Sequence, residues 1–268
     1  MNQILSLPMR SALATLAVVA AASAFVTAQA APDRLPDREI KRLIDQVDEG
    51  RDKFEGNLDG KFKGSTVRGA TGEIKVSGAL QDYQDSTHKL KERFTADYAA
   101  GAEVATVLRQ STAIDNFMKG SPSSLPGRSE WDRQAAIVKR LADAYAAPFP
   151  YTEGAAVRRM NDKETAAAAA AITEAADQFK SDLDKATSFA KPARDAAKKE
   201  VELLGKQASA LKSRTSDGKP ATAEMRQVAA QVAKVQSMLA GQTIPSMTNW
   251  QAVNTSLAKL QQAFGLTP

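Results

Sequence analysis

The chain predicts an all-α protein, a tandem duplication of an up-down four-helix bundle of roughly 115 residues. Three observations carry this. Alanine dominates, aromatic residues make up 6% of 268 residues and β-branched runs are scarce, a composition that favours helices. Apolar residues recur at steps of three, four or seven through four successive segments, the spacing of a helix with one buried face. The same pattern then occurs a second time, in the same order.

The repeat is legible residue by residue. Asp37-Arg38-Glu39 returns as Asp162-Lys163-Glu164, and Asp52 to Asp59 faces Asp177 to Asp184, both at an offset of 125. Leu90-Lys91-Glu92-Arg93 faces Leu211-Lys212-Ser213-Arg214 at 121, as Glu103, Val104, Val107, Ile114, Phe117 and Met118 face Glu224, Met225, Val228, Val235, Met238 and Leu239. Trp131, Val138, Leu141, Ala144 and Tyr145 face Trp250, Leu257, Leu260, Ala263 and Phe264 at 119. The offset shrinks only in the Gly- and Ser-rich stretch 60–72 and in 119–129, where Pro122, Pro126 and Gly127 stand. Length changes confined to turn-like segments are those of surface loops.

The elements follow in order. Residues 1–30 read as a secretory leader: Arg10 is the only charge before Asp33, an apolar stretch runs from Ala12 to Val26, and Ala28-Gln29-Ala30 forms an A-x-A cleavage pattern. That stretch is shorter than the ~20 residues of a membrane span, and cleavage after Ala30 leaves no transmembrane anchor. The expected domains are therefore the leader 1–30, a first bundle over 31–150 and a second over 151–268. The first helix is expected over 37–62, with Ile40, Ile44, Val47, Phe54, Leu58 and Phe62 inward and Arg51 intervening. The next three are expected over 73–94, 100–118 and 130–146, and the second copy repeats them over 162–190, 193–213, 221–240 and 248–264. Asn161 before Glu164, Ser129 before Asp132 and Thr248 before Gln251 read as capping boxes. Residues 147–154, with Pro148 and Pro150, form a stiffened linker. The residues expected to anchor the cores are Trp131 and Trp250, with Phe54, Phe179, Leu141, Leu260, Tyr145 and Phe264.

Composition excludes several chemistries. With no Cys and one His there is no zinc or iron–sulfur site, no disulfide and no cysteine nucleophile. His88, the single imidazole, sits one step past the seam position Thr87 at a bundle edge. Asp52 and Asp59 recur as Asp177 and Asp184, but seven residues along a helix is about 10.5 Å, too far to divide acid and base work. They are expected to cap or to bridge a neighbouring helix through Arg93 and Arg214. Gly64 to Gly72 has neither the preceding strand nor the Gly-Lys-Ser/Thr of a phosphate loop, and reads as a plain loop. A net charge of +5 spread over the chain is no nucleic-acid footprint.

Glu103-Val104 to Arg109-Gln110, Ile114 to Met118 and Ser129-Glu130-Trp131 give the chain a resemblance to an uncharacterised family of exported bacterial all-helical proteins. The resemblance spans most of the chain after the leader. It implies export and a helical fold and carries no activity and no functional residue. The expected function is that of an exported, non-enzymatic protein of the periplasm or extracellular space, interacting with an envelope protein or an anionic envelope surface as a scaffold or holdase. Phe54, Phe179, Phe117 and Met238 are its contact residues if a bundle opens, and core residues otherwise. The alternative is a periplasmic binder holding an apolar or anionic small molecule between the two bundles. Neither reading calls for a cofactor or a metal.

Overall fold

The computed structural model describes residues 34–69 and 72–266; the expected leader and its cleavage after Ala30 lie outside them. The described chain is all-α except for one short hairpin. Its elements are α1 (Asp37–Asn57), α2 (Gly60–Lys63), β1 (Thr66–Gly69), β2 (Gly72–Lys75), α3 (Val76–Arg93), α4 (Gly101–Gly120), α5 (Arg128–Ala144), α6 (Asp162–Lys185), α7 (Lys191–Ser216), α8 (Thr222–Leu239) and α9 (Thr248–Ala263). Helix α1 packs on α3 and α5, and α4 closes the ring against the same two; α6 packs on α7 and α9, and α8 closes that ring. Each ring encloses its own apolar core, one from Ile40 to Ala147 and one from Ala169 to Phe264. Among the described residues no helix is long and apolar enough to cross a membrane.

Three local expectations are corrected. The first helix stops at Asn57 rather than 62, because Asp59 Oδ1 accepts from the backbone N–H groups of Lys61 (2.8 Å) and Phe62 (3.2 Å) and starts α2 instead. The stretch read as a plain loop is an antiparallel hairpin pairing Thr66 with Lys75, Val67 with Ile74, Arg68 with Glu73 and Gly69 with Gly72. A lone hairpin is marginal in water; this one has Val67 and Ile74 directly opposite each other, with Val67 set down on the first core. Of the three capping boxes, Asn161 and Glu164 form theirs reciprocally, at 2.7 and 2.9 Å. Ser129 and Thr248 lie inside their helices, which begin after Gly127 and Met247 without a side-chain cap. Gly127 has φ +84°, and a Cβ there would stand 2.9 Å from Leu58 Cδ2, so the tight turn into α5 requires glycine.

The segment between α5 and α6 is held against the first ring. Tyr151 N–H donates to Thr112 Oγ1 (2.7 Å), Arg109 pairs with Glu153 (2.9 Å), and Phe149, Tyr151 and Val157 pack on the first core.

The rings meet through a reciprocal clasp at the start of α1 and of α6. Arg34 pairs with Asp162 at 2.7 Å and donates to Met160 O at 2.9 Å; Arg159 pairs with Asp37 at 2.6 Å and donates to Leu35 O at 2.7 Å. The Asp37 N–H donates to Asp162 Oδ2 (2.9 Å) and the Asp162 N–H to Asp37 Oδ2 (2.8 Å). Each guanidinium lies over a ring, Arg34 over Phe264 and Arg159 over Tyr145. Arg34, Leu35 and Asp37 are each 125 positions from Arg159, Met160 and Asp162, so every contact is made twice, once in each direction.

Candidate functional site

Under the hairpin lies a cavity of about 600 Å3. Its walls come from Phe54 of α1, Leu58 just beyond it, Phe62 of α2, Val76 and Leu80 of α3, and Ile114, Phe117 and Met118 of α4, and Val67 and Ile74 of the hairpin roof it. Phe62 and Phe117 stack at 5.6 Å between centroids with planes 28° apart. Asn116 and Ser121 add polar groups, and among the described residues Arg68 is the one charged residue of the lining. A cavity in the range of roughly 300–1,000 Å3, apolar inside with a few polar groups, is what a small-molecule site requires.

The second ring joins its first two helices differently. Residues 58–75 join the first two long helices of the first ring, whereas 186–190 suffice between α6 and α7. That shorter loop carries Phe189, 2% exposed and packed within the second core, and Ser188 Oγ ties it to Thr243 O at 3.1 Å. At the offsets read from the sequence, Phe54, Leu58, Val76, Leu80, Ile114, Phe117 and Met118 fall on Phe179, Leu183, Ala197, Val201, Val235, Met238 and Leu239, all packed in that core; Phe62 has no such counterpart. The described groove in the second ring, about 390 Å3 between α6 and α7, is lined instead by polar side chains such as Thr173, Glu174, Asp177 and Lys212.

Beyond Phe54, away from the cavity, the first ring holds a buried polar layer. Gln134, 1% exposed, donates from Nε2 to Val47 O and to Tyr83 Oη, both at 2.8 Å. Arg51, also 1% exposed, turns Nη2 to Asp48 (2.8 Å), Asp52 (2.9 Å) and His88 Nε2 (3.2 Å). Because a guanidinium can only donate, His88 Nε2 is the acceptor in that pair. Burial pushes the Tyr83 hydroxyl up, as it does that of Tyr145, which donates to Ala99 O. For Asp48 burial works upward too, but the hydrogen bonds from Arg51 and Lys91, with their charges, outweigh it and hold the carboxyl below its ordinary value. Shifted by the offsets read from the sequence, Arg51, Tyr83, Thr87, Ser111 and Gln134 fall on Ala176, Leu204, Ala208, Val232 and Val253, all buried apolar residues of the second core.

The residues singled out from sequence fall as follows. Trp131, Trp250, Phe54, Phe179, Leu141, Leu260, Tyr145 and Phe264 are all buried. Trp131 meets Phe54 at 5.1 Å and donates to Asp115 Oδ1; Trp250 meets Phe179 at 5.2 Å and donates to Gln236 Oε1. Of this group only Phe54 borders the cavity. Phe117 lines it as well, and Met238 packs on the second core. The recurring aspartates differ in what they hold. Asp59 caps α2, Asp52 pairs with Arg51, Asp184 pairs with Lys198 and Asp177 faces the polar groove. Arg93 and Arg214 pair with Glu103 (3.4 Å) and Glu224 (3.0 Å) rather than with those aspartates. Among the described residues no three His, Asp or Glu side chains come together as metal ligands.

No family model, curated protein or solved structure matches this chain. The site therefore has to be read from its own chemistry. In the sequence, Gly64, Gly69 and Gly72 mask the hairpin. Its signal lies in Thr66-Val67-Arg68 and Glu73-Ile74-Lys75, which alternate polar and apolar about a Gly-flanked turn.

Proposed function

We propose that this is an exported, non-enzymatic binding protein built from two copies of one four-helix unit, and that its first copy holds a small apolar molecule beneath the hairpin. The observation that carries the reading is the pair of matched loops: one expanded into a hairpin over a cavity of about 600 Å3, the other short and bearing the buried Phe189. Phe62, Ile74, Ile114 and Phe117 keep part of their surface in water around this space, apolar area that costs about 25 cal/mol per Å2 until it is covered. A half-open apolar space where the second unit seats the buried Phe189 is therefore best understood as room for a ligand. The ligand position is thus inside the first ring rather than between the two. A scaffold or holdase would offer apolar surface to its partner; the exposed large apolar side chains among the described residues are Tyr98 and Leu203, one in each ring.

The reading is tested with the chain after its leader and N-phenylnaphthylamine, a neutral probe that fluoresces in apolar surroundings. Saturable binding of one probe per chain is expected, and Ile114→Trp, which fills the cavity from α4, is expected to abolish it with helicity and thermal midpoint retained. Undiminished binding in a folded Ile114→Trp variant, or none in the wild type, refutes it.

A further inference from the structure

The charge around the cavity narrows the ligand further, and this step rests on the reading of the cavity as a binding site. The hairpin and its approach carry Lys61, Lys63, Arg68 and Lys75 against Asp59 and Glu73. Asp59 is engaged in capping α2. None of the four cations has a salt-bridge partner among the described residues. Arg68 and Glu73 are paired in the register of the strands, yet Arg68 borders the cavity and Glu73 does not. Of the four only Arg68 borders the cavity, so among the described residues the one charged side chain at its opening is a cation without an ion-pair partner.

The size of the cavity suits a single chain. If a methylene fills about the liquid volume of a water, ~30 Å3, a chain of twelve to sixteen carbons takes ~360–480 Å3 and fits about 600 Å3. Two such chains exceed that volume. The interior also offers few hydrogen-bonding groups, so a ligand polar along its length would leave buried groups unpaired. A hydrocarbon body with its one polar group at the rim meets both conditions.

We infer that the cavity takes a single-chain anionic amphiphile, with its chain among Phe54, Phe62, Ile114 and Phe117 and its acid group on Arg68. A guanidinium binds a carboxylate or a phosphate through paired charge-assisted hydrogen bonds, so either head group satisfies the rim. Arg68 alternates with Val67 along β1 and is exposed, so a head group held there stays in water and the complex is spared a buried charge.

The experiment is calorimetric titration of the folded chain with laurate and with dodecanol, both below their aggregation limits, with dodecyl phosphate as a third ligand. Laurate is expected to bind one per chain, roughly tenfold tighter than dodecanol, the scale of one charge-assisted contact. Arg68→Gln is expected to erase that difference, Arg68→Lys to keep part of it, and Ile114→Trp to remove all binding. Dodecyl phosphate tighter than laurate assigns a phosphate head, and the reverse a carboxylate; either supports the inference. Equal binding of laurate and dodecanol, untouched by Arg68→Gln, overturns the anionic head and leaves the cavity reading standing. Binding of the naphthylamine probe without any of the three chains overturns the chain itself. Loss of probe and chains together removes the cavity reading on which both rest.

Discussion

Removal of one carboxylate from the clasp, Asp162→Ala, is expected to cost more than any surface change. The Arg34 side chain that Asp162 faces is 3% exposed, and breaking a buried ion pair from one side costs about 3–5 kcal/mol because the other charge stays behind. The Asp37 N–H loses its acceptor as well, worth about 1 kcal/mol near a wet helix end. The Asp162 side chain is itself 16% exposed, which admits some water to Arg34 and places the expected total near 4 kcal/mol, to about one unit. Asp37→Ala should match it within about 1 kcal/mol, since it strips Arg159, 2% exposed, in the mirrored way. Urea unfolding at pH 7, followed by far-ultraviolet circular dichroism, measures both. Arg34→Met combined with Asp162→Ala should recover most of the loss, because no unpaired charge then remains. A single-variant cost under about 1 kcal/mol, or a double variant no better than Asp162→Ala, would refute the reasoning that buried charge is what the clasp holds in balance.

Trp131→Ala and Trp250→Ala should each cost about 3–5 kcal/mol in the same assay, because both rings are buried against a phenylalanine; a loss under about 1 kcal/mol at either contradicts its role as a core anchor. Gly50→Ala should destabilise, although alanine gains about 1 kcal/mol in a helix interior. The new Cβ would stand 2.0 Å from Gln134 Oε1, and moving that side chain breaks two hydrogen bonds worth about 2–3 kcal/mol together. Adding Gln134→Ala should remove the penalty, and a stabilised single variant would contradict the packing. Stability should fall in acid. The Asp48 carboxyl lies below its ordinary value, so its contribution is complete above the unfolded carboxyl's pKa of about 3.9 and is lost as pH drops through the lower folded value. Asp48→Asn should flatten the change in unfolding free energy between pH 7 and pH 3; a variant as acid-sensitive as the wild type contradicts it.

The helices are legible in the sequence because their signal is periodic and averaged over many residues. Ile40, Ile44, Val47 and Phe54 set the face of α1 whatever happens at its ends. The ends depend on single residues whose partners lie elsewhere: Asp59 starts α2 where α1 would otherwise run on, and Ser129 fails as a cap because Gly127 opens α5 earlier. The cavity is illegible for a related reason. Phe62 and Phe117 each read as ordinary core residues, and only the hairpin, with Val67 and Ile74 as its roof, leaves space between the walls. Arg51 and Gln134 are each visible as a polar interruption of an apolar seam, between Val47 and Phe54 and between Trp131 and Val138, but that the two, distant in sequence, belong to one layer is not. In the clasp the recurrence of Asp37 as Asp162 can be read, whereas the pairing of each with the other unit's arginine is a fact of three dimensions.

The clasp also imposes an order of events on the growing chain. Arg34 and Asp37 are made first, and their partners Asp162 and Arg159 follow only after the whole first ring has been synthesised. Loop-closure entropy makes contacts of such separation the slowest to form. The residues of the first core, Ile40 to Ala147, are thus all synthesised before the partners of Arg34 and Asp37 exist, and until then the Arg34 guanidinium lacks the carboxylate it pairs with. The last step of the first unit's maturation is thereby coupled to the first turn of α6, so a chain truncated before Arg159 lacks the contacts that seat its own beginning.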